Sequence, residues 1–474
     1  QKKILVPHWE FGLESAEYML PDCFGFPHSL PSVLSHCGLL GFSTQKLTWE
    51  SANGIPFNIG RWVGPDGNSV IAALNPGNYA GEHLNVYSTD TETLQRLREN
   101  EKVTGLPIDY FYMGGGDKNN ADRGGRPRQV SLETLEKSVA TKGPINVVPG
   151  TADLMFRAIT DEQAAKFPVW NKDLLLIKHS TGVLTSQTYT KQLNRDGELL
   201  ADAAERAAVS AAFLGGAVYP SEQLEDAWEL LLRNQYHDIL PGTSLPLAQA
   251  YTWNDGIIAL NQFDGVFTDA IGSLAGAMDT DKPGIPLIIY NSLSIDRNDV
   301  VEAFLPEALS DAKAVTAYNA NGQAQATQLT TGWDGKRRVL FQAKVPPVGA
   351  AVYYLRDEMP PVANNRELRV DGQSLENKRY LVKIDDNGDI ASVFDKKLEK
   401  ELLEQPAQLE FGPNFPERKP AWRIYPNDIF KPARSVAANP VHIRIVENGP
   451  VRVAIEVLRY NENSKIVQRI RLYP

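Results

Sequence analysis

Cysteine, long apolar runs and excess positive charge are all scarce in this 474-residue sequence. Only two cysteines occur, Cys23 and Cys37, so a disulfide framework is not what holds the chain together. With no other cysteine nearby, these two read as buried free thiols rather than zinc ligands. No apolar run is long enough to span a bilayer. Lys and Arg number 48 against 58 Asp and Glu, a net charge of −10. That balance argues against a protein that binds nucleic acid through a basic patch or stripe. An initiator methionine and a leader are also absent from the start, "QKKILVPHWEFG", and the end, "VQRIRLYP", stops within a strand-like pattern. Both ends suggest an internal piece of a longer protein, so the missing leader carries no reading of localisation.

What is present divides into three patterns. A chain of this length is expected to form two to four domains. Residues 1–150 alternate strand-like and helical segments, which predicts an α/β layer around a parallel sheet. "SLPSVLSHCGL" and "VSLETLEKSVATKG" read as helices, the second with a serine N-cap and a closing glycine. "LGFSTQKLTW", "SVIAALNP" and "INVVPG" read as strands. Residues 151–283 hold long amphipathic stretches with short loops, which predicts an antiparallel helical bundle. From 284 the pattern alternates apolar and polar, with turns at "DNGD" and "ENGP". This predicts a small β domain over 284–362 and the start of a larger, truncated β-sandwich over 363–474. The fold class is thus multidomain: α/β, then all-α, then all-β.

Four stretches contain residues able to do chemistry. In "YMLPDCFGFPHSLP", Asp22 follows a strand-like run, where α/β folds place reactive groups. It can equally cap the following helix or stabilise a turn. In "YFYMGGGDKNNADRGGRPRQ", a glycine-rich loop carries Asp117 and Asp122. It lacks the Lys-Ser/Thr ending of a phosphate loop, and its acids can be merely solvated. "KHSTGVLTSQTYTKQLNR" places His179 among hydroxyl residues before a helix, a pattern that simple turn chemistry also explains. In "RNQYHDILPGTS", His237 and Asp238 sit at a helix end that Pro241 and Gly242 break. A histidine there commonly interacts with the helix dipole, and is also the commonest metal ligand.

Taken in order, "LPDCFGF", "TQKLTW", "GGGD", "HSTG" with "TSQ", and "NQYHDILPGTS" resemble glycoside hydrolase family 38, the retaining α-mannosidases, over most of residues 15–260. The resemblance implies a partial α/β-barrel-like catalytic domain, a three-helix bundle and β-sandwich domains. It implies that Asp22 is both catalytic nucleophile and zinc ligand, that His237 is a zinc ligand, and that Asp238 contacts sugar hydroxyls. The acid/base falls on Asp117, with Asp122 as the alternative because "KNNADR" reads as an insertion. The family's His-x-Asp pair, which supplies the other two zinc ligands, has no counterpart in this chain. His8 and Glu10 in "PHWEFG" imitate it but lie too close to Asp22, so the two remaining ligands are expected in a missing N-terminal segment.

The implied chemistry is coherent. Retaining glycosidases use two carboxyl groups roughly 5–5.5 Å apart, one nucleophilic and one alternating between acid and base. A zinc ion can bind vicinal sugar hydroxyls and help distort the ring. The expected partners are α-mannoside glycans or oligosaccharides, with no nucleic acid and no membrane span. A catalytically silent glycan-binding or structural relative is the alternative, although such a relative has no need of separated acids plus a metal histidine. A metal-dependent esterase would carry a denser His and Asp cluster. Because family ligands are missing, the 474-residue chain by itself is expected to bind zinc weakly and to be inactive. If the acid/base assignment holds, Asp117→Asn in the full-length protein will abolish hydrolysis of alkyl mannosides. Aryl mannosides with good leaving groups will suffer less, because they need little protonation. That pattern in Asp122→Asn instead would move the assignment.

Overall fold

Successive residues of the strand Ser69–Ala73 point to opposite faces of a sheet, and both faces are buried. Val70 and Ala72 join one core with Phe26, Leu34, Phe42, Leu47 and Trp62. Ile71 and Ala73 join a second with Ile59, Phe156 and Phe167. This explains why the stretch is almost continuously apolar rather than alternating. The sheet has five strands in the order Glu17–Met19, Gly41–Ser43, Ser69–Ala73, Ile59–Val63, Val169–Trp170. The first three run parallel, Ile59–Val63 is antiparallel to Ser69–Ala73, and Val169–Trp170 is parallel to Ile59–Val63.

The computed structural model describes residues 12, 14–77, 83–113, 128–214, 216–360, 367–412, 414, 418–433, 435–436, 441–461 and 464–474. The chain divides into two compact units. One comprises Gln1–Ser186, Pro241–Thr243 and Pro416–Pro426; the other comprises Gln187–Leu240, Ser244–Phe415 and Asn427–Pro474. Among the described residues no helix is long and apolar enough to cross a membrane.

Several local expectations for the first unit change in the structure. Residues 151–186, expected with the bundle, belong to the sheet-containing unit. Phe156 and Phe167 cover one face of the sheet, and Leu174 and Leu176 cover the other. "INVVPG" forms no strand. The helix Gln129–Ala140 starts two residues before Ser131, and its N-cap is Arg128. Ser131 is buried, and its hydroxyl accepts from the His83 backbone N–H at 3.1 Å instead of capping. The helix Leu30–His36 matches the sequence pattern, with a proline in its first turn.

The second unit contains the three bundle helices Thr188–Leu214, Ser221–Arg233 and Pro246–Gly276. Their shared core is small-residue rich, with Ala201, Ala204, Ala208, Ala227 and Ala259 around Leu224, Leu231, Phe263 and Val266. Small residues let the helices approach closely: a Cβ on Gly197 would stand 2.8 Å from Leu231 Cδ1. Beyond the bundle, two antiparallel three-stranded sheets share one core. Their orders are Thr316–Asn319, Gly349–Arg356, Ile285–Asn291 and Thr327–Thr331, Arg337–Val345, Arg297–Phe304. A second sandwich-like core joins Leu375, Val382 and Ile384 to Val453, Ile455 and Val457. Within this β region the buried charges are paired, Arg452 with Glu447 and Glu302, and Arg459 with Asp389.

Phe263 is fully buried in the bundle and meets Trp228 edge-on, with ring centroids 5.6 Å apart. Phe263→Ala should therefore lower unfolding stability by about 3–5 kcal/mol. Chemical denaturation followed through Trp228 fluorescence checks this; a loss below about 1 kcal/mol would mean that the bundle is not packed around this ring.

Candidate active site

Asp22 lies three residues beyond the carboxyl end of the strand Glu17–Met19, in the turn that the sequence pattern suggested. The neighbouring parallel strand, Gly41–Ser43, also ends on this side, and a short 3₁₀ turn, Lys46–Thr48, follows it. Lys46 is buried; its side chain is 4% exposed and that of Asp22 is 25% exposed. The Lys46 ammonium donates to Asp22 Oδ1 and stands over two aromatic rings, 4.4 Å from the Trp49 centroid and 5.0 Å from that of Phe24. A buried ammonium requires a counter-charge, and Asp22 provides it. Sequence reasoning passed over Lys46, because a lysine in "TQKLTW" looks like any surface lysine.

His179 borders the same aromatic group. Its ring stacks at 6.5 Å on Phe24 and meets Trp49 edge-on at 5.3 Å. Burial lowers its pKa to about 4, helped by the charges of Lys46, Lys419 and Arg423, so it is neutral at pH 7. His179 is therefore not a simple turn residue, as its stretch alone allowed.

His237 and Asp238 follow the helix Ser221–Arg233, whose C-cap is Asn234. The His237 Nε2 and Asp238 Oδ2 atoms are 3.4 Å apart. The loop that bears them is tied to the other two bundle helices by side-chain hydrogen bonds in both directions. Asn234 Nδ2 donates to the Thr252 carbonyl at 3.1 Å, Gln249 Nε2 to the Ile239 carbonyl at 3.1 Å, and Lys191 Nζ to the Leu240 carbonyl at 2.9 Å. Gln249 Oε1 in turn accepts from Thr190 Oγ1 at 2.8 Å. Gly242 takes φ 83°, a left-handed conformation that suits glycine at the break.

Asp22 belongs to the first unit, and the adjacent His237 and Asp238 belong to the second; all three are half-buried. Asp117, Asp122, His8 and Glu10 lie outside the described residues.

A carboxyl with a raised pKa lies on the strand that leads to Asp22, and no motif announced it. Glu17 is 8% exposed and accepts from Ser43 Oγ and from Tyr110 and Tyr112 hydroxyls. Burial outweighs these hydrogen bonds and raises its pKa to about 7. A shifted carboxyl near a cleft is a candidate acid, but a buried structural network shifts pKa in the same way. Its partners, a serine of the neighbouring strand and two tyrosines, tie it into the packing of the sheet, which favours the structural reading.

That reading has a pH signature. The pKa of Glu17 in the folded state stands above its ordinary value of 4.5. Protonation therefore favours the folded state; the contribution is complete below about pH 4.5 and is lost as pH rises through about 7. The full shift corresponds to on the order of 3 kcal/mol. Glu17→Gln should flatten the decline in melting temperature between pH 5 and 7.5; an unchanged decline would remove Glu17 as its source.

Comparison with known proteins gives a consistent set of matches. Three family descriptions match successive parts of the chain: "Glycosyl hydrolases family 38 N-terminal domain" over residues 8–173, "Alpha mannosidase middle domain" over 179–264 and "Glycosyl hydrolases family 38 C-terminal domain" over 375–474. Alpha-mannosidase G of Dictyostelium discoideum is 24% identical over 473 residues, covering 94% of this chain and 42% of its own length. Alpha-mannosidase 2C1 of Mus musculus is 29% identical over 297 residues, covering 62% of this chain and 27% of its own. Among solved structures, an alpha-mannosidase from Enterococcus faecalis V583 superimposes with a TM-score of 0.72 at 18% identity, covering 96% of this chain and 55% of its own. The chain accordingly spans less than half the length of these curated relatives, and the structural likeness supports the fold.

Proposed function

Because the chain belongs to glycoside hydrolase family 38, we propose that the protein hydrolyses α-mannosidic bonds in glycans or oligosaccharides with retention of configuration and with the help of zinc. The observation that carries this reading is the ion pair that the buried Lys46 makes with Asp22 beyond the carboxyl ends of two neighbouring parallel strands, which holds a half-buried carboxylate where the family resemblance places the nucleophile. Carboxylate oxygen and imidazole nitrogen are donors that zinc accepts, and Asp22, His237 and Asp238 are each half-buried. Asp22 and His237 would hold the ion, and Asp238 would hold a sugar hydroxyl beside it. Two further ligands would come from a segment preceding this chain. When bound, the ion would supply Lewis-acid and template chemistry for vicinal 2- and 3-hydroxyls of a mannosyl ring.

The remaining roles fall to the chain's own residues. Asp22 would attack the anomeric carbon, and Lys46 supplies the counter-charge that an ionised nucleophile needs in a half-buried position. Holding Asp22 at one oxygen also fixes the direction of the other, which orients the attack. Asp117, or Asp122 in its place, would protonate the leaving oxygen and then deprotonate the water that releases the sugar. Neutral His179, Phe24 and Trp49 give the site an aromatic wall suited to the apolar face of a sugar ring.

The full-length protein should hydrolyse 4-nitrophenyl α-D-mannoside, lose the activity with a chelator and regain it with zinc. Proton NMR should show α-mannose as the first product. Asp22→Asn should lower turnover by about 10³-fold or more, because it removes the covalent step. Turnover that survives either Asp22→Asn or exhaustive chelation would overturn the assignment, and a protein that binds mannosides without turnover would be the silent relative.

A further inference from the structure

A recess of about 340 Å³ opens beside the aromatic wall, lined by Thr48, Trp49, Glu50, His179, Lys419 and Arg423. None of the motifs that pointed to the catalytic groups explains two of its features. His179 is 3% exposed, and its Nε2 has no hydrogen-bond partner among the described residues; the same holds for the buried Nε of Arg423. Buried donors left unpaired cost about 1–3 kcal/mol each, more for charged groups, so two around one recess imply a missing partner. When the Ser180 hydroxyl donates to His179 Nδ1, the neutral ring carries its proton on Nε2, and both orphaned atoms are donors.

The charge around the recess has one sign in excess. Lys419 and Arg423 outnumber Glu50 on its lining, and the Lys419 ammonium stands 5.1 Å from the Trp49 ring centroid. The segment bearing these cations is fixed in place. Gly182 N–H donates to the Trp422 carbonyl at 2.8 Å, and Ser186 Oγ donates to the Ala421 carbonyl at 2.7 Å. A Cβ on Gly182 would stand 2.9 Å from the Trp422 carbonyl carbon, so this contact needs a glycine. On the rim, Glu50 and Lys419 hold positive φ, 64° and 57°, conformations that non-glycine residues keep only when their surroundings impose them.

We propose that this recess is an anion subsite, and that the preferred substrates are mannosides bearing a phosphate or carboxylate group. The sugar ring would lie against Trp49, the anion would accept from Arg423 Nε and His179 Nε2, and Lys419 would add charge at the mouth. Guanidinium and ammonium donors to an anion form the stronger class of hydrogen bond. Lys46 links the recess to the reacting group, since it touches both the Trp49 face and Asp22. The inference rests on the hydrolase reading for the sugar, but the anion preference itself does not depend on turnover.

Calorimetry on the full-length protein at low salt tests it, using four probes in neutral and anionic pairs. Methyl α-mannoside is compared with its 6-phosphate, and phenyl α-mannoside with 4-carboxyphenyl α-mannoside; the two pairs distinguish phosphate from carboxylate. In at least one pair the anionic probe should bind about tenfold tighter or more, the equivalent of one good charged contact. Arg423→Gln and Lys419→Gln should each bring that ratio towards one. Lys419 is exposed, so its variant keeps the test sound if Arg423→Gln melts early. Equal binding within both pairs, or a preference that survives both variants, would overturn the proposal. An Arg423-dependent preference in a protein with no mannosidase turnover would keep the subsite and remove the hydrolase reading. Turnover without preference would do the reverse.

Discussion

The ion pair between Lys46 and Asp22 is the constraint around which the first unit's site is arranged. An ammonium as buried as that of Lys46 is tolerable only with a charged partner and close packing. Asp22 provides the charge, and Phe24 and Trp49 provide electron-rich faces. The two residues sit beyond neighbouring parallel strands, so the sheet register sets their separation. His179 completes the group from a later segment that covers the same sheet. Removing either group would take from the other its close charged contact.

The loop that carries His237 and Asp238 depends on a different device. It has almost no regular structure of its own, yet three carbonyls in and near it are tied to Asn234, Gln249 and Lys191. Gln249, Lys191 and the Thr252 carbonyl that accepts from Asn234 stand on helices held together by a core of alanines around Phe263 and Leu231. Supporting hydrogen bonds of this kind orient candidate ligands that could otherwise turn away. The bundle is thus a rigid mount for a short chemical loop, which is the usual division of labour between scaffold and loop.

Legibility from sequence varied with the range of the interactions involved. The helices Ser221–Arg233 and Pro246–Gly276 and the paired strands after residue 284 were readable because periodicity and turn residues are local signals. "INVVPG" misled because its apolar residues fit a strand and nothing local says that no neighbour pairs with it. Ser131 misled because its hydroxyl is taken by His83, far away in sequence. Residues 151–186 were assigned to the bundle by composition, while burial of Phe156 and Phe167 puts them on the sheet.

By itself the sequence determined the family, the order of α/β, helical and β regions, and the candidates Asp22, His237 and Asp238, because short motifs preserve the residue types that chemistry needs. Only the tertiary structure decided that Lys46 is buried on Asp22, that Glu17 is raised to a pKa of about 7, and that His179, Lys419 and Arg423 line one recess. The physical reason is that burial and charge are properties of a place in space. A lysine and an aspartate in separate loops have no electrostatic meaning until the sheet brings them together and excludes water.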